Sequence, residues 1–179
     1  LIARFDSQKN HLGFINAASC VHAILPNAHF LLAGKGVDFR NSTLISAIAD
    51  NGLQSQMHLL GLRDDVPRLM ASLDVMASSS HGEAFPNVLG EAMSCGVPCV
   101  VTDVGDSSEI VADTGRVVKA GDMGGLANAL VDLLILPAKH KILLSLQARK
   151  RVADNYEIRK VTFLYETVYQ QLMLNPCVA

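Results

Sequence analysis

Six short apolar runs alternate along the chain with stretches of helical periodicity, and this alternation limits the fold more than any other feature. The runs are Leu1–Phe5, His29–Ala33, Met57–Leu60, Leu73–Ala77, Pro98–Thr102 and Arg116–Val118. Between the first two, Phe14, Ala18, Val21 and Leu25 recur at the 3.6-residue spacing of an amphipathic helix. Further helices are expected near Asn41–Asn51, Val66–Ala71, Asn87–Ser94, Gly124–Leu136 and Lys139–Asn155. Strands that alternate with helices and are apolar throughout belong to a parallel sheet covered on both faces. The expected fold is therefore α/β: a doubly wound, Rossmann-like parallel sheet of about six strands with helices on both faces.

A length of 179 residues, half of them apolar, suits one domain with a sizeable core. No apolar run approaches the ~20 residues of a membrane span. A net charge of −2 and the absence of Trp argue against a nucleic-acid partner. Cys20, Cys95, Cys99 and Cys177 form no CxxC pair, so they are expected to be reduced, mostly buried thiols of a cytoplasmic protein. The chain opens on "LIARF" with neither an initiator methionine nor a secretory signal. That start leads us to expect a piece of something longer.

In doubly wound sheets, ligands bind beyond the carboxyl ends of the strands. This rule selects Lys9, the glycines of Gly34–Gly36, "GLRDD" (Gly61–Asp65), "SSSHGEAFPN" (Ser78–Asn87) and "TDVGD" (Thr102–Asp106). In "HGEAFPNVLGEAM", Phe85 precedes proline and is pushed toward extended backbone, so Glu83–Phe85 is expected to be loop. A helix then starts at Asn87, with Pro86 suited to its first turn and Gly96 and Pro98 to its end. Glu83 therefore precedes the helix and Glu91 lies within it. The free N–H groups of such a helix start attract anions, phosphate above all, while Glu91 taken alone could simply be a solvated helix residue.

Arg4 and Lys9, at the end of the first strand, would suit a diphosphate, Arg as a bidentate donor and Lys as a point charge. "GKG" at Gly34–Gly36 fails the dinucleotide fingerprint, because Phe39 stands where the third glycine belongs. Asp64, Asp65 and Asp103 lack companions at ligand spacing, so no metal site is expected. His81 reads as a solvated or hydrogen-bonded side chain. At the C-terminal end, Val161, Leu164, Tyr165, Val168 and Leu172 form a stripe on a helix over about 158–174. The stripe either packs on the core or docks a separate domain.

Taken in order, "RFDSQKN", "LLAGKG", "LLGLRDDVPRLMASLDVMASSS", "GEAFPNVLGEAMSCGVPCVVTDVGDSSEIV" and "TGRVV" resemble the C-terminal, donor-binding domain of family 4 (group 1) glycosyltransferases, which have the two-domain GT-B fold. The resemblance covers essentially the whole chain. It implies retaining transfer of a sugar from a nucleoside-diphosphate donor (a UDP-, GDP- or ADP-sugar) with no required metal or other cofactor. Carried over by position, Arg4 and Lys9 would neutralise the diphosphate leaving group, and Glu83 would touch the transferred sugar. Glu91 would bind the ribose hydroxyls. Ala84, Phe85, Pro86, Asn87 and Val88 would lie against sugar and phosphates, and Gly34, Gly36, Leu62 and Arg63 would border the nucleotide. Ala84 departs from the family, which often has Gly there, so a positive φ at that point would be strained.

The resemblance also implies an N-terminal domain that supplies the acceptor site for a glycan, lipid or polysaccharide precursor. The chain alone is then expected to bind nucleotide without transferring sugar, and its last helix to reach toward the other domain. Peripheral attachment at the cytoplasmic membrane face stays open. A noncatalytic nucleotide-binding or regulatory module, a GT-B sugar-nucleotide epimerase and a nicotinamide-dependent oxidoreductase are the competing readings. The failed glycine fingerprint disfavours the last of these.

Overall fold

The computed structural model describes residues 1–174; the reading of Cys177 falls outside the described residues. Strand β1 (Phe30–Leu32) pairs in parallel with β2 (Met57–Leu59). A second parallel sheet runs in the order β3 (Met76–Ser78), β4 (Cys99–Thr102), β5 (Arg116–Val118). The segment expected as a first strand, Leu1–Phe5, lies along β1 but is recorded only as a bridge between Ile2 and Ala33. The N–H of Ala3 donates to Ala33 O (2.9 Å), that of Ala33 to Leu1 O (3.2 Å) and that of Phe5 to Lys35 O (2.8 Å). Gly34, with φ +148°, breaks the ladder between these bonds. The six expected strands thus become five named strands and one bridged segment, and the doubly wound α/β class stands.

Helices cover both faces. Helices α1 (His11–Ile24) and α2 (Ser42–Asp50) follow the first segment and β1, and α3 (Val66–Ala71) follows β2. Next come α4 (Asn87–Ser94), α5 (Ser107–Val111), α6 (Met123–Leu134), α7 (Ala138–Asn155) and α8 (Ile158–Leu174). Side-chain oxygens of Asn10, Asn41 and Asp122 cap α1, α2 and α6 through the N–H groups of Gly13 (3.1 Å), Leu44 (3.2 Å) and Gly125 (2.7 Å).

β4 is buried at every residue and divides the core. Its Val100 packs with Phe14, Leu32, Leu59 and Leu126 on one face, and Cys99 and Val101 pack with Met70, Leu89, Met93 and Ile110 on the other. That two-sided burial is why its sequence is apolar without alternation.

Two expectations need correction. The strand expected over Leu73–Ala77 begins only at Met76, because its partner begins after Pro98, which has no N–H to give to a ladder; the N–H of Met76 donates to Pro98 O (3.0 Å). The short helix α5 was not foreseen, since five residues are too few for a periodic signal.

Among the described residues the cysteines are less buried than expected: Cys20 and Cys95 are exposed and Cys99 is buried. Burial pushes the Cys99 thiol up to about 12. Mass spectrometry after brief iodoacetamide treatment of the native chain should find Cys20 and Cys95 alkylated and Cys99 untouched until denaturant is added. Among the described residues, no helix is long and apolar enough to cross a membrane.

Candidate functional site

The order of the strands reverses where the Leu1–Phe5 segment faces β3. Each joins its own half-sheet, and no hydrogen bond among the described residues connects the two. The crevice expected at such a switch point is present. It is a cavity of about 320 Å³ lined by Leu1–Arg4, Lys9, Met76, Ser78, Ser80, Glu83 and residues 85–88. A larger cavity of about 460 Å³ shares only Leu1 with it, is lined chiefly by apolar groups such as Phe14, Leu25, Phe30 and Leu130, and lies away from the charged pair described next.

Lys9 and Glu83, 74 residues apart in sequence, form an ion pair of 2.6 Å with side chains only 20% and 9% exposed. Ser80 Oγ donates a second bond to the same carboxylate oxygen of Glu83 (2.7 Å). Each partner is held by its own elements. The 3₁₀ turn Ser7–Lys9 starts at Asp6, whose side chain accepts from the N–H of Gln8 (2.9 Å), and ends at Asn10 in the left-handed region (φ 50°). Ser79 Oγ donates to the carbonyls of Lys9 (3.0 Å) and Asn10 (3.1 Å), and the N–H of His81 to Gln8 O (2.7 Å). The loop after β3 is thereby fastened to the turn that carries Lys9.

The far side of the Glu83 loop is fixed by the loop after β4. Thr102 Oγ1 donates to Ser80 O (2.6 Å), and the N–H of Asp106 to Ala84 O (2.9 Å). Gly105 packs so closely that a Cβ there would lie 2.4 Å from the carbonyl oxygens of Glu83 and Ala84. Ala84 itself is not among the non-glycine residues with positive φ, which in the described chain are Asn10 and Ala112. The alanine therefore fits the loop without strain.

Helix α4 begins at Asn87 as expected, but Pro86 is its extended N-cap rather than part of the first turn, and there is no side-chain cap. The N–H of Leu89 turns back to Pro86 O (3.0 Å), while those of Asn87 and Val88 have no acceptor among the described residues. These donors open beside Lys9 and Arg4 on the cavity wall. The whole forms an electropositive recess with one carboxylate in it, fit for an anionic ligand that carries hydroxyl groups. Arg4 is largely exposed and pairs with Asp6 (3.3 Å). The Gln8 N–H and the Arg4 guanidinium hold the Asp6 carboxyl below its usual range.

Arg4, Lys9, Glu83, Phe85, Pro86, Asn87 and Val88 are thus brought to one cavity. Gly34, Gly36, Leu62, Arg63, Ala84 and Glu91 do not line it. Gly34 joins the loops after β1 and β2, its N–H donating to Gly61 O (2.8 Å). Leu62 is 79% exposed, and Arg63 grips Asp65 through two bonds of 2.7 Å, which lower the Asp65 carboxyl. Glu91 is exposed on α4; its carbonyl accepts from the N–H of Cys95 (3.3 Å), and its carboxylate makes no hydrogen bond among the described residues. Sequence reasoning missed Ser79, Ser80 and Gly105 as individual residues. The run of three serines at the end of a strand was the available signal.

His11, the first residue of α1, is 2% exposed and packs at a tilt against Phe5, with ring centroids 5.5 Å apart. Burial pushes its imidazole down to about 4; the nearby Ala3 carbonyl offsets this only in part, and neither ring nitrogen meets it in hydrogen-bond geometry. A base with a depressed folded pKa stabilises the fold fully above its unfolded value and loses that contribution as pH falls toward the folded value. Urea titrations should therefore show stability falling by roughly 1–3 kcal/mol between neutral pH and pH ~4. His11→Leu should flatten that slope, and an unchanged slope would assign the loss to other groups.

Comparison with known proteins places these observations. The family model described as "Glycosyl transferases group 1" matches residues 1–135. The chain is 34% identical over 149 residues to the N-acetyl-alpha-D-glucosaminyl L-malate synthase of Bacillus anthracis, covering 82% of this chain and 38% of that protein. It therefore spans less than half the length of that relative. The Anabaena protein HepE in complex with UDP superimposes with a TM-score of 0.82 at 25% identity, over 94% of this chain and 47% of that one. The C-terminal domain of a group 1 glycosyl transferase family protein (LpcC) from Francisella tularensis superimposes with a TM-score of 0.76 at 25% identity, over 88% of this chain and 85% of that one. With a family model over most of its length and a doubly wound fold shared with these proteins, the chain belongs to the group 1 glycosyl transferases and has the architecture of their C-terminal, GT-B domain.

Proposed function

We propose that this chain is the donor-binding half of a retaining glycosyltransferase that takes its sugar from a nucleoside diphosphate. The observation that carries the reading is the Lys9–Glu83 pair set in a recess beneath the uncapped start of α4. As the glycosidic bond breaks, negative charge grows on the diphosphate and positive charge on the sugar. Lys9, Arg4 and the N–H groups of Asn87 and Val88 stabilise the first charge, with no metal required. Glu83, freed from Lys9 as the diphosphate arrives, accepts hydrogen bonds from sugar hydroxyls. Glu91 on α4 reaches the ribose, while Gly34, Gly36, Leu62 and Arg63 border the base.

UDP is the favoured nucleotide, in keeping with the UDP complex of HepE. Calorimetric titration of the chain with UDP, GDP and ADP should give measurable binding, UDP tightest, and none with NAD. Binding lost in Lys9→Ala would place the nucleotide in this recess. Equal heats from all nucleotides, unaffected by that change, would sink the reading.

The acceptor, a glycan, lipid or polysaccharide precursor, is bound by a separate N-terminal domain, so the chain alone binds donor without transferring sugar. The α8 stripe suits contact with that domain. Leu164, Tyr165, Val168 and Leu172 are 50–61% exposed, and no α8 residue is buried. Such a protein would work in the cytoplasm, where nucleotide sugars are made. A noncatalytic nucleotide-binding module is the second reading, and turnover by the full-length protein separates the two.

A further inference from the structure

Helix α7 carries apolar residues on two opposite sides. Ala148 and Val152 are buried in the core and Leu144 packs against it, as an amphipathic helix requires. Yet Ile142, Leu143 and Leu146 stand 62%, 53% and 62% exposed on the outside. Lys139, Leu143, Leu146 and Lys150 follow one another at helical spacing along that outer side, with Ile142 and Arg149 beside them. The result is a line of aliphatic side chains with cations at both ends.

The charge on α7 is one-sided. It holds five Lys and Arg residues and a single acid, Asp154, in a chain whose net charge is −2. Arg151 is turned inward onto the carbonyls of Ile110 (2.8 Å) and Glu109, and Lys150 pairs with Asp154. Lys139 and Arg149 make no ion pair among the described residues.

We propose that this outer face of α7 docks on an anionic lipid surface. The aliphatic centre suits the boundary between headgroups and acyl chains, and the cationic ends suit the negative headgroups around it. In a parallel two-fold contact a second copy would press Lys139, Arg149 and Lys150 against their own likes, while an antiparallel pair centred on Leu146 would show as a dimer in sedimentation velocity. The C-terminal end of α7, beyond this face, touches the recess. Tyr156, which ends α7, lies edge-on against Phe85 of the donor loop with ring centroids 5.7 Å apart.

The test is co-sedimentation of the 179-residue chain with vesicles of phosphatidylcholine, with or without roughly a quarter phosphatidylglycerol. Partition should be at least about tenfold higher on the anionic vesicles and should fall at raised salt. L143S/L146S and K139E/R149E should each reduce it by about tenfold, and as outward-facing changes they leave the core alone. L164S/V168S on α8 serves as the control and should leave partition unchanged. Equal partition on neutral vesicles, or loss in the α8 variant and not in the α7 variants, would overturn the proposal. So would a concentration-dependent dimer in sedimentation velocity that L143S/L146S dissolves, which would make the face an interface between copies.

Discussion

Replacing Lys9 by alanine in the full-length enzyme is expected to lower sugar transfer by a factor of about 10²–10³, the usual worth of one preplaced electrostatic group at a centre of developing charge. The site gives this lysine two tasks. Its ammonium neutralises Glu83 at 2.6 Å and, on the proposed mechanism, the leaving diphosphate in the transition state. Lys9→Ala therefore also leaves a carboxylate only 9% exposed with Ser80 as its remaining donor, which costs about 1–3 kcal/mol of stability. The paired change Lys9→Met with Glu83→Gln separates these effects. It removes the orphaned charge and should recover most of the stability, yet turnover should stay low. Single-turnover kinetics beside thermal melts would decide, and unchanged turnover in a folded Lys9→Ala enzyme would remove Lys9 from the mechanism.

Gly34→Ala is expected to destabilise the fold by about 3 kcal/mol or more, for two reasons that act together. Its φ of +148° lies in a region L-residues avoid, and the added Cβ would sit 2.0 Å from the carbonyl oxygen of Ala3. Relief requires moving the Leu1–Phe5 segment away from β1, and that segment carries Arg4 to the recess. UDP affinity should therefore drop along with the urea midpoint. Gly52→Ala supplies the comparison. It has φ +67° and nothing within 4 Å of its added Cβ, so it should cost only about 1 kcal/mol. Equal costs at the two positions would show that backbone preference alone, and not the close approach of the first segment, sets the requirement for glycine at position 34.

Much of the architecture was legible because each piece has a local cause. The helix at Asn87–Ser94 was readable to the residue, since proline restricts both itself and Phe85. Arg116–Val118 and Val66–Ala71 were equally clear. The shift of β3 to Met76 was not, because it depends on which residues of β4 can donate, and pairing partners are absent from a local pattern. The α8 stripe kept its helical spacing in the structure, but spacing alone could not say whether the core would receive it, and it does not.

The same division runs through the candidate site. Sequence alone determined the residue types and the order of the loops: cations after the first segment, a carboxylate before a proline-led helix, glycines where the backbone must turn. Only the tertiary structure decided which of them meet. Lys9 and Glu83 share a proton-donor network with Ser80 because two strands from separate half-sheets end side by side. Glu91, Leu62 and Arg63 stay outside the cavity because helix phase and the Arg63–Asp65 pair turn them elsewhere. Local propensity acts over a few residues, whereas burying a charged pair depends on contacts between segments 74 residues apart, which packing of the whole core fixes.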